Sequence, residues 1–122
     1  MNIENFRNIC LSFHGVTEEF PFDENTLVFK IIGKMFALCD VEHFESINLK
    51  CDPVNAIELR ERYPGIVNPG YHMNKKHWNT VIMQSNLPDK LIEQWITDSY
   101  HLVVANLPIK DQKKLKGHIQ KL

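Results

Sequence analysis

Between His72 and Val81 the chain reads HMNKKHWNTV, which places two histidines, two lysines, two side-chain amides and a tryptophan within ten residues. Side chains of these types can grip a nucleic acid. Lys75 and Lys76 would pair with phosphates, Asn74 and Asn79 would hydrogen-bond to backbone or base edges, and Trp78 would stack on a base. Lys30 and Lys34, on either side of an upstream turn, would supply a second cationic wing. A plainer account is also open: Trp78 anchors the core from a strand, the lysines are solvated, and the asparagines satisfy local backbone groups. In a third arrangement His72, Trp78 and Tyr100 line a pocket, and the lysines hold an anionic group through charge-assisted hydrogen bonds.

Other chemistries find less to work with. His72 and His77 are five residues apart, so on a strand they face opposite ways, and no cysteine or carboxylate lies near them in sequence. The acidic group Asp40, Glu42 and Glu45 around His43 matches no dedicated cation loop and reads as a solvated turn. No metal and no cofactor are therefore expected. Cys10 falls on an apolar helix stripe, Cys51 on an apolar strand face, and Cys39 among Met35, Ala37 and Val41, so burial explains the thiols better than nucleophilic catalysis does. The five glycines are isolated at 15, 33, 65, 70 and 117, and no phosphate-cradling loop exists among them. An enzyme is the least supported class. A stripe formed by Lys110, Lys113, Lys114 and Lys121 would follow phosphates or simply face water.

The elements that must position these residues follow from periodicity. Ile3, Phe6, Ile9, Cys10 and Phe13 recur at helical spacing until Gly15. Val16 to Phe22 is strand-like, with Pro21 pointing to an edge or a bend. Leu27 to Ile32 and Lys34 to Val41 form a hairpin about Gly33. Ser46 to Cys51 alternates, with Ile47, Leu49 and Cys51 on one face. Asp52 and Pro53 open a second helix that runs to Tyr63. Ile66 to Met73 reads as an extended connection and His77 to Met83 as the last strand. Pro88 then opens a long helix to about Ala105, whose Leu91, Trp95 and Leu102 stripe, flanked by Ile92, Ile96 and Val103, must be core. Pro108 restarts the chain as a shorter helix with Leu115, Ile119 and Leu122 in register. This order predicts one α+β domain over residues 1–122, an antiparallel sheet covered by helices on one face. The other face would carry Lys30, Asn48 and Lys50.

Composition sets the outer limits. The 122 residues are 43% hydrophobic and 24% charged, as in a soluble domain that folds without a staple. No apolar run is long enough for a membrane span. The start of the chain lacks the pattern of a signal peptide, and three widely spaced cysteines suit a reducing compartment, so a cytoplasmic location is expected. The net charge of −1 conceals an asymmetry. Residues through Gly65 include 6 basic and 11 acidic side chains, and the remainder 8 and 4.

The HMNKKHW string, with EEFPF (Glu18 to Phe22), FKIIGKMFAL (Phe29 to Leu38) and DSYHLV (Asp98 to Val103), resembles the MmcQ/YjbR family over nearly the whole chain. The resemblance implies a small bacterial α+β protein with a fold similar to frataxin-like CyaY, binding DNA through a double-wing arrangement of β-hairpins. It carries over to His72, Asn74, Lys75, Lys76, His77 and Trp78, with Ser99 and Tyr100 downstream, and supplies no catalytic residue. The leading expectation is a non-enzymatic protein that contacts DNA through residues 72–79 and the 29–36 hairpin. The alternative is a protein-binding or small-anion-binding module that uses the same segment as a pocket. Ser99 and Tyr100 are expected to support that segment by hydrogen bonds from the long helix. Apolar residues on both hairpin faces, Phe29 and Ile31 against Val28 and Ile32, leave room for a second subunit or a covering helix.

Overall fold

The computed structural model describes residues 1–120, with side chains through Lys116. Helix α1 (Ile3–Ser12) starts at Asn2, whose side chain accepts from Asn5 N at 2.8 Å while Asn5 Oδ1 accepts from Asn2 N. This reciprocal cap satisfies two amides that the first turn leaves unpaired. Strands β1 (Val16–Glu19), β2 (Thr26–Ile31), β3 (Lys34–Asp40) and β4 (Ser46–Lys50) follow, then α2 (Pro53–Arg62), β5 (Val67–Pro69), β6 (Trp78–Ile82), α3 (Asp89–Ala105) and α4 (Ile109–Gln120). The six strands form one antiparallel sheet in the order β1-β2-β3-β4-β6-β5. No helix among the described residues is long and apolar enough to cross a membrane.

Alternation along the strands divides the sheet into two faces. Leu27, Phe29, Ile31, Cys39, Ile47, Leu49 and Val81 face the helices and bury Phe6 and Cys10 of α1 and Ile92, Trp95, Ile96, Tyr100 and Val103 of α3. The α+β domain with helices on one face is thus the architecture found. Val28 and Leu38 point the other way, into a small cluster with Trp78, Met35 and Met73. The apolar second face of the hairpin is therefore covered from within the same chain. Ile32 remains 40% exposed at the turn, where both it and Gly33 take a left-handed φ, the geometry of a tight two-residue hairpin loop.

Strand β3 contains an irregularity that period-two reading does not show. Phe29 pairs with Ala37 and Lys30 with Met35, so Phe36 is an extra residue on its side of the ladder. Phe36 and Ala37 consequently both face the helices. Pairing between β3 and β4 stops at Ala37 and Leu49. One step further the Ser99 hydroxyl of α3 stands between the strands, donating to Phe36 O at 2.6 Å and accepting from Lys50 N at 2.9 Å.

Two expectations need correction. Residues 66–73 are not merely a connection, because Val67–Pro69 forms the edge strand β5. Three residues with a proline carry no strand signal of their own, and β6 supplies the pairing. Along β5, alternate groups turn away from β6: there Val67 N–H donates to Tyr63 O at 2.9 Å, and Pro69 has no N–H. Second, Cys51 is half-buried, whereas Cys10 and Cys39 are buried. Burial pushes the Cys39 thiol up to about 12. On α4, Leu115 packs on the core and Lys110, Lys113 and Lys114 are exposed. The Ile119, Lys121 and Leu122 positions of that pattern lie outside the described side chains.

Candidate functional site

Residues 70–77 form a loop that folds over the sheet face opposite α3, between edge strand β5 and β6. The turn depends on Gly70. A Cβ there would lie 2.7 Å from Trp78 Cβ and 3.0 Å from Trp78 O, closer than packed atoms tolerate. Gly70 N donates to Trp78 O at 2.9 Å, and Gly70 O accepts from Lys75 Nζ at 3.0 Å. Lys75 thus ties the loop to itself. Asn74 Oδ1 accepts from Lys76 N at 2.9 Å, a local turn that orients the next two residues.

Arg60, near the end of α2, clamps the same loop from the side. Its Nε donates to Asn79 Oδ1 at 2.7 Å, and its Nη2 donates to Trp78 O and Lys75 O. Asn79 in turn donates to Ala56 O at 3.4 Å and is 2% exposed. Sequence reasoning missed Arg60, because nothing local marks a helix arginine as the partner of a loop fifteen residues away.

Several predicted roles change with these positions. Trp78 is 6% exposed and sits on Val28 and Leu38, so its ring is unavailable to stack on a base. Lys30 is ion-paired with Glu19. Lys34 pairs across the hairpin with Ile31 and Lys30 with Met35, so the two hairpin lysines belong to opposite faces. His72 and His77 lie in the loop, not on a strand: His72 is exposed, in a left-handed conformation with its ring 4.0 Å from that of Tyr71, and His77 is half-buried. Lys76 and Asn74 are exposed.

Ser99 and Tyr100 do not support the loop. Ser99 serves the β3–β4 gap, and Tyr100 OH donates to His14 O at 2.7 Å while its ring stacks on Phe13 at 4.6 Å. Both belong to the helix-covered side. The sequence placed them in the middle of the long helix, but it did not tell which face of the sheet the loop would cover. For the same reason the expected pocket of His72, Trp78 and Tyr100 does not form.

A groove of about 770 Å³ opens between the 70–77 loop, the segment around Phe22 and the sheet. Met35, Leu38 and Trp78 make its floor, and Phe22 and Tyr71 flank it at 64% and 68% exposure. His72, Met73 and Asn74 complete the loop side. Its acidic members are Asp23 and Asp40, and no lysine or arginine lines it. Asp23 accepts from Asn25 N, Thr26 N and Thr26 Oγ1, bonds that hold its carboxyl below the usual range. Asp40 accepts from His43 N and Glu45 N, so its carboxylate caps the backbone of the 40–45 turn. Beside the groove Thr80 Oγ1 donates to Asn48 Oδ1 and accepts from Tyr71 N at 2.8 Å, which turns the Asn48 amide NH₂ away from that chain of bonds. Among the described residues no cluster of three metal-ligating side chains occurs.

Known proteins share this architecture and this loop-bearing sequence. The crystal structure of the Deinococcus radiodurans protein DR2400, a DUF419 domain, superposes with a TM-score of 0.87 at 36% identity, covering 94% of this chain and 88% of that one. The Escherichia coli O157:H7 protein YbdF is 39% identical over 114 residues, 93% of each chain. YjbR of Escherichia coli K12 is 31% identical over 116 residues, 94% of this chain and 98% of its own. Both Escherichia coli proteins are described as uncharacterized. The YjbR family model matches residues 11–102, a span that runs from α1 through the 70–77 loop into α3, and the chain therefore belongs to the YjbR family.

Proposed function

We propose that this YjbR-family chain is a non-enzymatic binding module whose groove beneath the 70–77 loop seats an uncharged, largely apolar group of a partner. The observation that carries this reading is a wide groove with an apolar floor, flanked by two exposed aromatic rings, Phe22 and Tyr71. Aromatic and methionine side chains left open beside a depression are the composition of interface centres. An anionic ligand is not favoured, because the lysines of the HMNKKHW string stay off the groove wall and two aspartates are on it. Three cysteines without a disulfide among them support a reducing, cytoplasmic setting for the module.

The DNA reading retains Lys34, Lys76, Asn74 and His72 as exposed contacts. It has less support, since Lys75, Lys30 and Trp78 are engaged within the chain. One amide-resolved NMR titration separates the two. Phenol and N-acetyl-leucinamide should shift the amides of Leu38, Asn48 and residues 71–78, and the shifts should be lost when both exposed flanking rings are removed in Phe22→Ser, Tyr71→Ser. Duplex or single-stranded DNA at low salt should leave the spectrum unchanged. Binding of DNA that weakens steeply with salt and is reduced by Lys76→Ala would instead sink the groove reading.

A further inference from the structure

A second cavity, of about 270 Å³, lies on the opposite side of the sheet between α2 and α3. Its walls are apolar and reach the core: Leu49, Leu59, Val67, Val81, Trp95 and Leu102. Three carboxylates stand around it, Asp52, Glu58 and Asp98, with the Cys51 thiol beside them. Asp52 uses Oδ2 to cap α2, and Asp98 Oδ1 accepts from Gln94 Nε2. Among the described residues none of the three is in an ion pair. The one cationic residue that lines the cavity, Lys50, follows Leu49 on the strand and so faces the other way, its Nζ 6.0 Å from the Trp78 ring centroid.

We propose that this cleft binds a small organic cation, an ammonium group carried on an apolar body about the size of one ring. The apolar walls would take the body and Glu58 and Asp98 the charge. An anion of the same shape would meet three carboxylates, which Arg60, engaged with Asn79 and the loop carbonyls, offsets only in part. The thiol already senses this field: burial first, then Asp52 and Asp98, push Cys51 up to about 11, against a smaller opposing effect of Arg60. The site is separate from the groove under the 70–77 loop and does not depend on it.

Cys51 reports on the cleft directly, because it is the cysteine that is not buried. Its modification by a cationic and an anionic methanethiosulfonate is followed by mass spectrometry and divided by the rates for the same peptide unfolded. The cationic reagent should be favoured, and Asp98→Asn and Glu58→Gln should each lower the preference about threefold, as expected for one charge at near-surface separation. Both substitutions fall on exposed helix positions, so the fold should survive them. In the same protein, millimolar benzylammonium should slow alkylation of Cys51 by iodoacetamide, and benzoate should not. Equal rates for the two charged reagents, indifference to both substitutions, or protection by benzoate as strong as by benzylammonium would each overturn the proposal.

Discussion

A single hydroxyl, that of Ser99, takes the place of a missing rung between β3 and β4. It is fully buried and satisfies one carbonyl and one amide that the bulge at Phe36 leaves without strand partners. Ser99→Ala should therefore cost about 2 kcal/mol, the penalty for orphaning buried backbone groups, measured as a lower urea midpoint with unchanged slope. Asp23 acts at the surface through charge. Its carboxyl is held low by two backbone amides and the Thr26 hydroxyl, so its stabilising effect is present at neutral pH and fades as pH falls below the ordinary carboxylate range. Asp23→Asn keeps an acceptor but loses the titration, and the acid-side fall in melting temperature should become shallower. Neither role is visible from residue type, since both depend on where the chain brings backbone groups.

At the scale of elements, the 70–77 loop is shaped by three anchors: Gly70 packed on Trp78, Lys75 on Gly70 O, and Arg60 reaching across from α2. Gly70→Ala should push Trp78 off Val28 and Leu38 and destabilise the chain by about 1–3 kcal/mol, the usual cost of forcing an extra carbon into a packed site. Its thermal unfolding curve against wild type checks this. Arg60→Lys should not behave as a conservative change, because one ammonium cannot reproduce a planar fork bonded to Asn79, Trp78 O and Lys75 O. Faster hydrogen exchange at residues 75–79, with α1 and α3 unaffected, is the expected result. The helices and the 27–41 hairpin were legible in the sequence because each repeats its own period and is bounded by a proline, a glycine or a capping side chain of its own. Strand β5 and the bulge at Phe36 were not, since each exists only through a neighbouring strand.

For the whole molecule, the sequence revealed one sheet with helices on one face, but not which surface the HMNKKHW loop would cover. That loop comes about thirty residues after the hairpin and about twenty before Ser99–Tyr100, and local pattern does not say to which side it folds. Exposure of Lys76 and burial of Trp78, neighbours but one in the chain, follow from that choice. The two ends of the sheet have a consequence of their own. At β5 the outward nitrogens are Val67, already bonded to Tyr63 O, and Pro69, which carries no hydrogen. At β1 the strand is four residues long and its Glu18 and Glu19 are held by Arg7 and Lys30. A second molecule finds no free row of donors at β5 and only a short, charged edge at β1 on which to lay a strand, so concentrated solutions should resist fibrillation, and Pro69→Thr should shorten the lag of thioflavin-positive assembly under agitation. The proline that hid a strand from the sequence is also what keeps one copy of the chain from becoming a template for the next.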